Sequence, residues 1–176
     1  ASDTSESMNK VEVAFGSVSQ SVKNWSDTTL KSYGIAKGTA LDMSALYGDM
    51  ATSMGLNQRE AAKMSMSLVG LAGDLSSFKN IDIKQAEEAL NGIFTGETES
   101  LKMLGIVMTD TNLQQYAYSK GIQKKTQDMT EAEKVQLRYN YVMDKTKNSH
   151  GDFERTSAGT ANQMRVFQES LKELGA

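Results

Sequence analysis

"AAKMSMSLVGLAGDLSSF", Ala61 to Phe78, is the stretch whose reading decides the fold. Ala61, Met64, Leu68, Leu71, Leu75 and Phe78 recur at steps of three and four residues. That spacing lays them along one stripe of an α-helix, and the alternation of a strand does not fit it. Gly70 and Gly73 lie inside the same pattern. Each costs up to ~1 kcal/mol relative to alanine in a helix interior. Glycine there makes sense if a neighbouring helix must approach closely, so the stretch predicts a helix that another element packs against.

Working outward, the boundaries of this helix are written in the chain. Gly55 suits the position just past a helix end, and Asn57 followed by Glu60 resembles a capping box opening the helix at Gln58. Before it, a helix is expected from about Thr39 to Met54. Earlier still, Val11, Phe15, Val18, Val22 and Trp25 step by 4, 3, 4 and 3, the seam of a helix that pairs with another. Gly34 and Gly38 interrupt the pattern. Downstream, Asp82 with Gln85 caps a helix carrying Ile83, Ala86, Ala89, Leu90 and Phe94 to Gly96, and a short helix follows over roughly 98–104. Thr130 with Glu133 is the strongest capping box and opens "EAEKVQLRYNYVMDKTKN". The last helix begins between Ser157 and Thr160 and carries Ala161, Met164, Phe167, Leu171 and Leu174. Two brief runs, 106–109 and 122–126, have the look of a small two-stranded ribbon around the helix "TNLQQYAYSK".

Composition agrees with a helical reading. The chain has 176 residues, no proline and no cysteine. Proline averages roughly 5% of residues and interrupts helices, so its absence favours an all-α fold. We expect a multi-helix bundle of about seven or eight helices. One helical module of a larger protein would fill 1–176, with pairing helices in 1–38, a core in 39–155 and a carboxy-terminal pairing helix in 156–176. The first and last helices would pair with each other or with further chain, and "ASDTSES" reads as a trimmed end or a disordered lead. Without cysteine there are no disulfides or thiolate metal sites. A net charge of -3 gives no whole-chain reason to expect nucleic acid or anionic lipid.

Few residues qualify for chemistry. Glu97 and Glu99, in "IFTGETESLKMLGIVMT", would suit the carboxylate pair of a glycoside hydrolase. They also fall in the first turn of a helix, where the dipole stabilises negative charge, and we read them as a structural corner. Glu87 and Glu88 read as a solvated face. His150 stands alone in "NSHGDF", without a nucleophile elbow or an H-E-x-x-H metal motif, and reads as a loop histidine. Lys120 to Lys147 holds seven basic and four acidic residues, a local +3, with Tyr116, Tyr118, Tyr139 and Tyr141 in or near it. Such a mixture can stack single-stranded nucleic acid; the other reading, which we favour, is a mixed-charge helix surface. No catalytic residue, cofactor, metal or small-molecule substrate is expected.

Five blocks carry a likeness to a known family: "WSDTTLKSYGIAKGTALDMSALYGDMATSMGL", "AAKMSMSLVGLAGDLSSF", "LNGIFTGETESLKMLGIVMTDTNL", "LRYNYVM" and "GDFERTSAGTANQMR". In this order, from Trp25 to Arg165, they resemble the amino-proximal helical region of phage tail tape measure proteins. The resemblance implies a structural role in tail-length determination, tail tube assembly and DNA ejection. The expected partners are other copies of the chain, the tail tube protein and tail assembly chaperones, with DNA contact on the exit route as an alternative. A peptidoglycan-cleaving domain is a more distant one. The expected location is the virion tail lumen, and the host cytoplasm during assembly. Even as one helix, 176 residues would reach only about 260 Å at ~1.5 Å each, too short to measure a long tail alone. The residues expected to associate are Val11, Phe15, Val18, Val22, Trp25, Met164, Phe167, Leu171 and Leu174.

Overall fold

A computed structural model describes residues 2–157 and 159–175, and every regular element in them is helical. In chain order these are α1 (Ser2–Phe15), α2 (Ser19–Ser26), α3 (Thr29–Tyr33), α4 (Lys37–Ser53), α5 (Gln58–Lys79) and α6 (Ile83–Leu90). They continue as α7 (Gly92–Thr95), α8 (Glu99–Lys102), α9 (Asp110–Ser119), α10 (Glu131–Lys145), α11 (Asp152–Arg155) and α12 (Thr160–Gly175). Eight of these have eight residues or more, which agrees with the seven or eight expected.

Helix α5 is the axis of the bundle. Leu68, Val69, Leu71, Ala72 and Leu75 are fully or almost fully buried on it, and α4, α6, α1 and α11 pack around it. Its two interior glycines do what their cost implies. A side-chain carbon on Gly73 would lie 2.7 Å from Cβ of Tyr33, and one on Gly70 would lie 2.7 Å from its ring. The close neighbour is thus the end of the short α3. Asn57 accepts the Glu60 amide at 2.8 Å to start α5. Capping boxes form at Asp82 with Gln85 and at Thr130 with Glu133.

Three expectations are corrected. The amino-terminal seam is not one helix: Gly16 takes φ +53° and separates α1 from α2 through a single 3₁₀ turn. Val11, Phe15 and Val22 are completely buried, with Val18 and Trp25 packed beside them. Phe15 lies on Gly48 of α4, where a side-chain carbon would meet its ring at 2.3 Å. Most of this seam is thus taken up by packing inside the chain, with Val18 and Trp25 left partly exposed.

The ribbon is also absent among the described residues. Ile106 and Met108 point into the core and Val107 points out, as in a strand. The Val107 carbonyl, however, is taken by the Tyr141 hydroxyl at 2.6 Å and the Asn112 amide at 3.0 Å. Near 122–126 the Lys124 carbonyl and the Thr126 amide are both bound by Gln114. Side chains satisfy the groups that a second strand would have used.

The third correction concerns α12, which does not pair with α1 through its apolar stripe. Asn162 and Glu169 are buried beneath it, whereas Met164, Phe167 and Leu171 face outward. The side chain of Leu174 lies outside the described residues.

Candidate association surface

The glutamate corner is built for chain reversal. Gly92 is the pivot, because a side-chain carbon there would sit 2.2 Å from the backbone oxygen of Glu97. Ser100 ties the far side back by donating to the Ala89 carbonyl at 3.0 Å. Arg138, from α10, donates to the Ile93 carbonyl at 3.1 Å and lies against Gly96. Burial pulls its guanidinium below the ordinary arginine value. The glutamates themselves are exposed. Glu97 accepts the Glu99 amide at 2.7 Å, and Glu99 pairs with Lys102 at 3.0 Å. Both carboxylates are engaged in holding the first turn of α8.

Glu87 departs from the solvated face expected of it. It is only 8% exposed, and burial raises its carboxyl above the ordinary value. Its backbone carbonyl accepts the buried Tyr47 hydroxyl at 2.8 Å. Glu88 is exposed as expected.

His150 belongs to a polar latch. Its Nε2 lies 3.1 Å from the Thr146 hydroxyl. Asp74 of α5 accepts the Gly151 amide at 2.8 Å and the Phe153 amide at 3.2 Å. Burial raises the Asp74 carboxyl, partly offset by those two amides. Ser77 donates to Asp152 at 2.7 Å, and Asn162 donates to Ser77 at 2.9 Å. Asp74, Ser77 and Asp152 thus fasten α11 and the start of α12 to α5. Among the described residues no group of three or more His, Cys, Asp or Glu side chains is arranged to hold a metal ion, and no helix is long and apolar enough to cross a membrane.

The basic, tyrosine-bearing region is largely internal in its bonding. Tyr116 donates to Asp144 and stacks edge-on with Tyr141, their rings 5.4 Å apart. Tyr141 is buried. Lys120 and Lys147 both pair with Asp144, Lys124 with Glu133, and Lys134 with Glu131. Of the four tyrosines Tyr118 is the one half exposed.

What remains open is apolar. On α12, Met164, Phe167 and Leu171 form an outward ridge, exposed by 53%, 59% and 51%. The helix is held from below by polar bonds: Asn162 to Thr156 and Ser77, Arg165 to the Ser76 carbonyl, and Glu173 to the Lys37 amide. Beside it, α1 and α4 enclose a groove of about 740 Å³ with Val13, Ala14, Met43 and Leu46 in its walls. Val13 is 84% exposed. The sequence marked the ridge through its spacing; it gave no sign of the groove, since Val13 and Leu46 lie off the apolar stripes. Comparison with protein families, with curated proteins and with solved structures finds no match for this chain.

Proposed function

We propose that the chain is a structural module of a phage tail tape measure protein, acting in tail assembly through helix packing and protein association. The resemblance of the five blocks motivates the family. The observation that carries the mode of action is the apolar ridge of α12, turned away from the bundle that would otherwise bury it. Water-exposed side chains of this kind on a well-packed helical body mark an association site when they are contiguous. The glutamate corner is compatible with the same reading, because its carboxylates cap and pair within one turn. No reaction is needed: burial of apolar surface at ~25 cal/mol per Å² drives association.

The test is co-expression with a phage tail tube protein and a tail assembly chaperone. Copurification that is lost in Phe167→Asp supports the role. Failure to bind either protein, or turnover of purified cell wall that vanishes in Glu97→Gln, overturns it.

A further inference from the structure

We propose that the crevice between the underside of α12 and the α4 and α6 helices binds a small zwitterion, a molecule of amino-acid or dipeptide size, with its ammonium on Glu87 and its carboxylate on Arg165 and Lys84. The proposal is independent of the association role.

The crevice encloses about 470 Å³, within the ~300–1,000 Å³ usual for small-molecule sites. Thr39 reaches it from α4, Lys84 and Glu87 from α6, and Arg165 and Glu169 from α12. Its charges are unequally engaged. Glu169 is buried and pairs with Lys172 at 2.7 Å. Asp82, also in the wall, is occupied at the start of α6, where it accepts the Lys84 amide at 3.4 Å.

Three charged groups are left over. Glu87 is more than nine-tenths buried, yet its carboxylate closes no hydrogen bond or ion pair among the described residues. Lys84, one turn before it, acts on it only from beyond ion-pair distance. Nη1 of Arg165 is buried without a hydrogen-bond partner, while Nη2 donates to the Ser76 carbonyl at 3.3 Å. The Lys84 ammonium, on an exposed residue, is the third. Burying an ion without a partner is costly, and burial raises the Glu87 carboxyl accordingly. Tyr47 bonds the backbone carbonyl of Glu87 and not its carboxylate. The fold therefore uses the position of this residue and leaves its charge without a task. Unpartnered ionisable groups gathered in a cleft point to a bound ligand.

The signs decide which ligand. A simple anion drawn to Arg165 and Lys84 meets the Glu87 carboxylate, with Asp42 and Glu88 acting in the same sense. A simple cation drawn to Glu87 meets the guanidinium and the ammonium. A molecule with opposite charges at separate ends satisfies all three groups. Its ammonium donates to Glu87, and its carboxylate accepts from Nη1 of Arg165, both charge-assisted bonds of the stronger kind.

Titration followed by two-dimensional NMR tests this. Glycine and glycylglycine serve as zwitterions of different charge separation, with acetate and methylammonium as the two halves. At least one zwitterion is expected to shift the amides of 81–87 and 165–169 saturably below ~10 mM, about tenfold or more tighter than either half. Glu87→Gln is isosteric and removes an unpaired buried charge, so the fold is kept. It weakens the zwitterion about tenfold or more and leaves acetate no weaker. Arg165→Lys weakens zwitterion and acetate together. Because Arg165 also holds α12 through Ser76, Lys84→Met replaces that variant if its Tm falls. Saturation by neither zwitterion overturns the proposal and leaves the crevice to water. So does acetate binding as tightly as the zwitterion, or an affinity indifferent to Glu87→Gln. Copurification with tail proteins, the test of the association role, is read separately and does not depend on these results.

Discussion

Gly92 and the two glutamates beyond it show how differently neighbouring residues of one corner are constrained. The Glu97 oxygen that crowds Gly92 is backbone and cannot swing aside. Gly92→Ala is therefore expected to destabilise the fold by about 1–3 kcal/mol or more, as overpacking does. Glu97→Gln and Glu99→Gln, on exposed side chains, should each stay within about 0.5 kcal/mol. Urea unfolding of the three variants checks this, and the reverse ranking would mean that the carboxylates carry the site. Sequence reading identified the corner but not its pivot, because the partner of Gly92 is a carbonyl brought back by the turn, which no side-chain pattern records. Gly70 and Gly73 were legible because their partners face a helix whose stripe was already visible.

A second residue pair sets a pH dependence. Desolvation, reinforced by the bond to Asp144, raises the Tyr116 phenol to about 12. The same hydroxyl, followed by Lys147 and Lys120, holds Asp144 below the usual carboxylate value. A lowered carboxylate contributes stability that is present above its unfolded value and is lost as pH falls through the folded one. A raised phenol contributes stability present below its unfolded value and lost as pH rises through about 12. Tyr116→Phe should therefore flatten both limbs, lowering Tm near neutrality more than at acid pH. Thermal melts from neutral pH down through the carboxylate range decide it; parallel curves for the two chains would show that the pair is not coupled to folding.

At the scale of the element, helix starts were the most readable feature and helix destinations the least. The box at Thr130 is local: its hydroxyl accepts the Glu133 amide at 3.2 Å, and Glu133 answers by accepting the Thr130 amide at 2.8 Å. Lys124 joins at 2.9 Å, and with these bonds the Glu133 carboxyl is lowered. Thr130→Ala should cost about 1 kcal/mol, measured by denaturant midpoint, with Thr130→Ser retaining most of it. A loss no larger than that of an exposed mid-helix Thr→Ala change would remove the cap from the account. The ribbon failed for the opposite reason. Its two runs have strand-like composition, yet Gln114, Asn112 and Tyr141 reach their backbone groups first, and such competition depends on where α9 and α10 come to rest. The stripe of α12 was seen correctly but its facing was not, because spacing reports that a helix has an apolar side and not whether its own chain covers it. The polar side of α12 turned inward because Ser76, Ser77 and Thr156 offer it hydrogen bonds.

For the whole molecule, these contacts predict an uneven distribution of stability. Helix α5 is buried along most of its length and touched by elements from both ends of the chain, whereas α12 rests on a few hydrogen bonds and keeps its apolar side in water. Local opening costs little where few apolar contacts are broken, and approaches the global free energy where the core itself must separate. Amides of α12 are therefore expected to exchange first, and those of Leu68 to Leu75 last, near the global unfolding limit. Association should reorder this list. If a second copy or a tail protein covers the ridge, α12 gains the burial it lacks, and its exchange slows with concentration or on addition of that partner while α5 is unaffected. Hydrogen exchange followed by mass spectrometry at two concentrations reads both effects together. Protection of α12 equal to that of α5 in the dilute chain would mean that its polar underside holds it as firmly as a core. The ridge would then be a surface feature of a rigid helix, and not the part of the molecule whose stability waits on a partner.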